Sequence, residues 1–194
     1  MKRDIINSAI GIVVLTLLFG IGYPLLVTGV SQLAFPGNAN GQKVYAGGKV
    51  VGSKIIGQSS GGSTAYFQSR PSAATPADNA AATTFSNAGP NNLATEQAIA
   101  KNIAAYLKLE RPYNPGLTAA GVPVDAADTS ASGIDPDISV ANARIQAHRV
   151  AAVRGLRLAQ IETLIARYTH GRGLGFSGEP GVNVLRLNLA LSHV

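Results

Sequence analysis

The sequence predicts one transmembrane helix followed by one α+β domain with a small sheet and about three helices. Three observations predict it. A long run near the N-terminus carries no charge, and the next stretch is rich in Gly, Ser, Asn, Ala and Pro around short apolar pieces. Beyond that, three segments repeat apolar residues at helical spacing. A chain of 194 residues suits one domain and an appendage. Hydrophobic residues make up 46 % and charged residues 13 %, well below the roughly 25 % of a soluble domain, as expected if one segment never meets water. With no cysteine, a disulfide framework and a thiolate metal site are excluded.

The anchor comes first. From Ile5 to Val30 there is no charged residue, and at about 1.5 Å per residue the run spans the roughly 30 Å hydrocarbon core with some tilt. It exceeds the length of a signal-peptide core, and Gln32-Leu33-Ala34 lacks the small residue a cleavage site needs, so the helix is expected to be retained. Lys2 and Arg3 precede it and no basic residue follows until Lys43, so the positive-inside rule sets residues 1–4 in the cytoplasm. Residues 5–30 then cross the cell membrane, and residues 31–194 form an extracytoplasmic domain. At about 100° per residue Gly11, Gly22 and Gly29 share one stripe flanked by Asp4, Asn7 and Ser8, a face on which another helix can dock closely.

In the domain, Lys49-Val50-Val51 and Lys54-Ile55-Ile56 are expected to pair as a hairpin across Gly52-Ser53, with a third extended piece at Tyr66-Phe67. The stretch from Ser72 to Ala88 reads as an exposed loop. Asn91-Asn92 can cap a helix carrying Ile99, Ile103, Tyr106 and Leu107 that Pro112 stops. Ser139 can cap a second, with Val140, Ala143, Ala147, Val150 and Ala151 inward. A third carries Ile161, Leu164, Ile165 and Tyr168 and is expected to end at Gly171. From Val182 onward the leucines fit either a strand or a helix.

Several motifs suggest chemistry that their context withholds. Gly57-Gln58-Ser59-Ser60-Gly61 has the form of a hydrolase nucleophile elbow, but Gly61-Gly62-Ser63-Thr64 is a poor start for the helix that motif requires. Gly173-Leu174-Gly175-Phe176-Ser177-Gly178 matches a dinucleotide fingerprint, yet it follows a helix instead of opening one. His148, His170 and His193 show no metal-ligand spacing, so no metal site is expected. Asp125, Asp128, Asp135 and Asp137 cluster around Gly133 without calcium-loop spacing. They read as turn chemistry or as a cation-attracting loop. The arginines of the last third, among them Arg144, Arg149, Arg154 and Arg157, supply most of the net charge of +6 and read as a solvated or partner-binding face. With few aromatics among them to stack bases, nucleic acid is not an expected partner.

Read in order, Tyr23-Pro24-Leu25-Leu26, Phe35-Pro36, Ala39-Asn40-Gly41, Ile56-Gly57-Gln58, Tyr66-Phe67, Arg70-Pro71-Ser72 and Ser86-Asn87 form one set of distinctive strings. Ser130-Ala131-Ser132-Gly133-Ile134-Asp135-Pro136, Arg149-Val150-Ala151, Glu179-Pro180-Gly181-Val182-Asn183-Val184-Leu185 and Leu187-Asn188-Leu189-Ala190-Leu191 continue it. Over nearly the whole chain this resembles the C subunits of the Kdp-type potassium-transporting ATPases of bacteria and archaea. It departs from them at Ser59-Ser60 and Gly61-Gly62, where an aromatic residue usually stands, and at Ala88, Asp137 and Val140.

The resemblance implies a non-catalytic subunit of a high-affinity, ATP-driven potassium uptake complex. Its partners would be a potassium-binding channel-like subunit, a P-type ATPase subunit and a small single-helix subunit, with membrane lipid around the anchor. ATP and potassium would be ligands of the complex, and no cofactor is expected on this chain itself. The family is described as a catalytic chaperone that raises the ATP affinity of the ATPase subunit, and a glutamine matching Gln146 is linked to nucleotide. The anchor's direction sets Gln146 apart from cytoplasmic ATP, so an effect on nucleotide would pass through the membrane helices as coupling. The other class open to the sequence is a free-standing, membrane-anchored binding protein or enzyme.

Overall fold

The computed structural model describes residues 1–84, 87–89 and 91–194, which fall into two compact units, Met1–Val51 and Gly52–Val194. In the first unit one helical rod runs from Lys2 to Ala34, long and apolar enough to cross a membrane, with none of its most apolar stretch buried. It comprises α1 (Lys2–Leu15), a π-helical stretch (Thr16–Gly22) and α2 (Tyr23–Ala34). Proline explains the π stretch. Pro24 offers no N–H to the carbonyl four residues back, and its ring crowds that carbonyl. The turn before it widens, and the Tyr23 N–H reaches back to the Leu18 carbonyl.

That widening bears on the predicted glycine stripe. An added residue per π turn rotates everything beyond it by roughly 100°, so Gly11 leaves the face on which Gly22 and Gly29, seven residues apart, still stand within about 20° of each other. A short helix, α3 (Pro36–Ala39), follows the rod, and the Asn40 amide donates to Gln32 Oε1 at 3.0 Å and to the Pro36 carbonyl at 2.7 Å.

The hairpin also differs from expectation. Its strands are β1 (Lys43–Ala46) and β2 (Lys49–Ser53), and the turn is Gly47-Gly48. Both glycines have positive φ, +55° and +75°, as the two-residue turn that matches strand twist requires. Lys54–Ile56 is no strand. Nor is Tyr66-Phe67, although Phe67 is fully buried: its N–H donates to Asn188 Oδ1 at 2.8 Å, and Asn188 Nδ2 donates to its carbonyl at 2.9 Å. A side-chain amide thus takes the place of a neighbouring strand.

The second unit is built around α6 (Val140–Arg154), which packs on α7 (Leu158–Tyr168) and sits near α4 (Leu93–Glu110). Asn92 caps α4 through Ala94 N and Thr95 N, and Ser139 caps α6 through Asn142 N, as predicted. Gly155, at φ +66°, closes α6 in the left-handed conformation and turns the chain into α7. That third helix ends at Tyr168, before Gly171, because β4 (Thr169–His170) begins there. The tail resolves into both alternatives: β5 (Gly181–Asn183), then α8 (Val184–Leu191), with Asn183 accepting from Arg186 N as its cap.

A second sheet has the order β3-β5-β4, where β3 is Asp137–Ser139, both pairings antiparallel. Ile138 faces Val182 across it, and both join Phe67, Ala143, Ala147, Val150, Ile161, Ile165, Leu187 and Leu191 in one buried core. Each large apolar side chain fully buried there contributes about 1.5–3 kcal/mol. A 3₁₀ turn (Ala119–Gly121) and α5 (Val124–Ala127) complete the elements. The stretch from Ser72 is not wholly exposed. Ala74 is buried, and Ser72 Oγ donates to the Gly133 carbonyl at 2.6 Å while accepting from Ala74 N and Asp78 N. Phe85 and Ser86 of that stretch lie outside the described residues, which leaves only Asn87 of the Ser86-Asn87 string within them.

Candidate functional site

The most buried polar chemistry lies where α4, α6 and residues 64–68 meet. Arg149 and Glu110 form an ion pair of 2.8 Å with both side chains at 0 % exposure. The remaining guanidinium donors serve the Thr64 carbonyl, the Tyr66 carbonyl at 2.9 Å and Gln146 Oε1 at 3.0 Å. This corrects the reading of Arg149 as part of a solvated face. Arg154 is also withdrawn from it, donating to the Ala65 and Leu191 carbonyls and lying 4.8 Å from the Tyr66 ring centre. Arg186 covers Tyr168.

Gln146 continues the network. Its Oε1 accepts from Gln68 N at 2.7 Å and from Arg149, and its Nε2 donates to the Gln68 carbonyl at 3.1 Å and to Asn142 Oδ1 at 2.9 Å. Two donors and two acceptor sites are all a primary amide has, so every polar valence of Gln146 is used inside the fold. The Tyr106 hydroxyl donates to the same Asn142 Oδ1, and Asn142 Nδ2 donates to Asp125 Oδ2. Beside this chain lies a cavity of about 280 Å³ lined by Gln68, Tyr106, Glu110, Asn142 and Gln146 among others.

Burial pushes the Glu110 carboxyl above its usual range, against the pull of Arg149, and one of its oxygens, Oε2, has no hydrogen-bond partner among the described residues. Burial, then the charges of Glu110 and Asp125, push the Tyr106 phenol upward too. The network therefore holds the Glu110 carboxyl away from water and half-buries the Tyr106 phenol, in a setting whose chief effect is to fix two helices and a loop to one another.

The four aspartates do not converge on one opening. Asp125 accepts from Ser139 N at 2.8 Å as well as from Asn142, and Asp135 pairs with Arg70 at 3.0 Å. Asp137 meets His170 Nε2 at 3.0 Å and accepts from Asn183 Nδ2 at 3.1 Å, whereas Asp128 Oδ1 accepts from the neighbouring Thr129 N–H. Among the described residues no three His, Cys, Asp or Glu side chains are grouped to hold a metal ion. His148 and His193 are exposed. In the elbow-like motif, Ser59 Oγ accepts from Gly61 N and Ser60 Oγ donates to Gln68 Oε1 at 2.6 Å, and glycine turns follow where the motif needs a helix.

Sequence reasoning missed Glu110 and Asn188. A lone glutamate two residues before Pro112 carries no signal of its own, and its role appears only when Arg149 is brought over it from 39 residues away. The strings themselves hold the missing signal, for they bind one another in space. Gly57 leaves no room for a Cβ, which would sit 2.5 Å from the Asp135 carbonyl oxygen, and Gly57 N donates to the Ile134 carbonyl. Gly133, at φ +71°, is pressed against the Thr84 carbonyl oxygen at 2.6 Å from its would-be Cβ. Arg70-Pro71-Ser72 grips the Gly133-to-Asp135 loop through Arg70 and Ser72, Tyr66-Phe67 is held by Arg149 and Asn188, and Asn183 Nδ2 reaches the Lys54 carbonyl.

Comparison with known proteins gives the same reading over the whole length. The family model for the K+-transporting ATPase, c chain, matches residues 5–193. A protein of Methylococcus capsulatus is 51 % identical over 181 residues, covering 93 % of this chain and 92 % of its own. One of Mycobacterium tuberculosis is 46 % identical over 194 residues and all of both chains, and one of Koribacter versatilis 44 % over 191 residues, 98 % and 95 %. Each is named as a potassium-transporting ATPase KdpC subunit. With the strings that lock its α+β domain in place and the family match spanning anchor and domain alike, the chain belongs to the KdpC family of K+-transporting ATPase c chains.

Proposed function

We propose that this chain is the single-pass, non-catalytic accessory subunit of an ATP-driven potassium uptake complex. Residues 1–4 lie in the cytoplasm, residues 5–30 cross the cell membrane, and residues 31–194 form the extracytoplasmic domain. Its companions are a channel-like potassium-binding subunit, a P-type ATPase subunit and a small single-helix subunit, and ATP and potassium are ligands of that complex. The observation that carries this reading is the full-length likeness to relatives named as KdpC subunits, anchor included.

The subunit stabilises the assembly and favours ATP binding and turnover by the ATPase chain, acting from the outer side at the potassium entrance. Gln146 serves this at a distance. Its saturated amide supports a strut that sets the relation of α6 to residues 66–68, and its influence on nucleotide is a coupling through the membrane helices. The aspartates have internal partners first, which leaves Asp128, whose contact is to its own neighbour, as the member best placed to attract potassium.

Co-expression with the companion chains tests the reading. The chain should leave detergent-solubilised membranes with the polytopic companions, its removal should weaken ATP affinity, and a reporter active only outside the cytoplasm should work when fused after Val194. A chain that purifies alone would favour a free-standing anchored protein instead.

A further inference from the structure

The loop between β4 and β5 holds the dinucleotide-like glycine motif, and the fold gives it a different employment. Two reciprocal bonds, Gly173 N to Ser177 O at 2.7 Å and Ser177 N to Gly173 O at 2.8 Å, close a tight hairpin. Gly175 N bonds to Arg172 O and Phe176 N to Gly173 O inside it. Arg172 Nη2 clamps the base, 2.8 Å from each carboxylate oxygen of Glu179. At the tip Leu174 is 90 % and Phe176 75 % exposed. Leu174 also takes φ +53°, a conformation that suits glycine or asparagine and strains a leucine. The hairpin thus spends rigidity and backbone strain to hold two apolar side chains in the open, where they contribute nothing to the core.

We propose that this hairpin is a docking peg that seats Leu174 and Phe176 in an apolar socket on an extracytoplasmic surface of a companion chain in the same complex. The proposal rests on the reading of the chain as a subunit of a membrane complex. Two features select the occupant. The apolar pair stands above a rim of both charge signs, Arg172 and Glu179 in mutual contact, which is the layout of a protein contact with an apolar centre and a polar edge. Against a bilayer the same rim offers no net attraction to anionic headgroups, and Glu179 is its more exposed member, at 78 %. Size narrows the choice further. Two side chains fall far short of the roughly 1,200–2,000 Å² of a free-standing interface, so the socket belongs to a chain already held nearby, for which a small contact works at high effective concentration.

The chain has no cysteine, so Leu174→Cys and Phe176→Cys each introduce a single addressable thiol. Maleimide labelling of this chain should be at least tenfold slower in the detergent-purified complex than in the chain alone, and a benzophenone maleimide at either site should cross-link to a polytopic companion. Equal labelling rates in the two states overturn the proposal. So does a cross-link to a second copy, or quenching of a dye at either site by spin-labelled lipid in nanodiscs. Leu174→Gly removes the side chain and relieves the backbone; it should keep or raise the thermal midpoint while weakening assembly about tenfold. Unchanged assembly in Leu174→Gly again overturns the peg. Failure of the wild-type chain to co-purify with any companion defeats the underlying subunit reading, whereas an intact complex with freely labelled thiols removes only the peg.

Discussion

The rod from Lys2 to Ala34 and the junction around Arg149 meet opposite solvent problems. The rod is apolar and none of its residues is buried within the chain, so its environment has to come from outside. The junction is charged and fully enclosed, with the chain supplying every partner of Arg149 itself. Changes in the rod should therefore register in assembly, and changes in the junction in folding.

The sharpest test of that contrast is Arg149→Met. It leaves Glu110 buried without its counter-charge and the carbonyls of Thr64 and Tyr66 without their donor, and a loss of about 3–5 kcal/mol is expected from urea unfolding of the full chain in detergent. Stability within 1 kcal/mol of wild type would mean that water reaches the junction. Next comes Gln146→Leu, which strands the Gln68 N–H and carbonyl. A loss of about 2 kcal/mol is expected, together with lower ATP affinity of the assembled complex. A folded variant whose complex keeps wild-type ATP affinity would remove the coupling.

Glu110 adds a pH dependence. Its carboxyl is raised in the folded chain, so the folded state binds the proton more tightly than the unfolded one. The contribution of this group is fully present below the ordinary glutamate range and is lost as pH rises through the elevated folded value. Glu110→Gln should flatten that decline in a series of unfolding curves, and an identical pH slope in both proteins would show that another group carries it. Asp78, also raised by burial, acts in the same direction and remains in the variant, so flattening is expected to be partial.

The smallest effects belong to the rod. Gly22→Leu should weaken co-purification by about 1 kcal/mol, roughly fivefold, by separating a closely packed neighbour, and leave domain unfolding unchanged. Gly11→Leu, on a face rotated away by the π stretch, should do less. Equal losses from the two would restore the single stripe that a regular helix implies.

What the sequence made legible follows from how local each cause is. Asn92 and Ser139 cap the helices expected of them because a cap acts within three residues. The rod was legible because charge exclusion over that length has few other causes. The hairpin departs from expectation because the apolar arms at Val50 and Ile55 carry less weight than Gly47-Gly48, whose positive φ closes the two-residue turn. In the candidate site, Gln146 stands out by resemblance alone, Tyr106 reads only as a helix-face residue, and Glu110, Asn142 and Gln68 carry no sign of a shared network. Glu110, Tyr106, Asn142 and Gln68 come from three separate stretches, and nothing periodic marks a residue whose partner lies 36 to 78 positions away. The arginines mislead for the same reason: Arg149 looks like its exposed neighbour Arg144 until the Glu110 carboxylate is brought over it.

The π stretch before Pro24 gives the rod a twist along its length. A straight companion helix lying along one side meets one set of side chains before Thr16 and a different set after Gly22. The two ends can then be recognised by two different neighbours, as a key is cut differently along its two edges. A push that returned those seven residues to regular winding would turn one end against the other by roughly 100° without sliding the rod through the membrane.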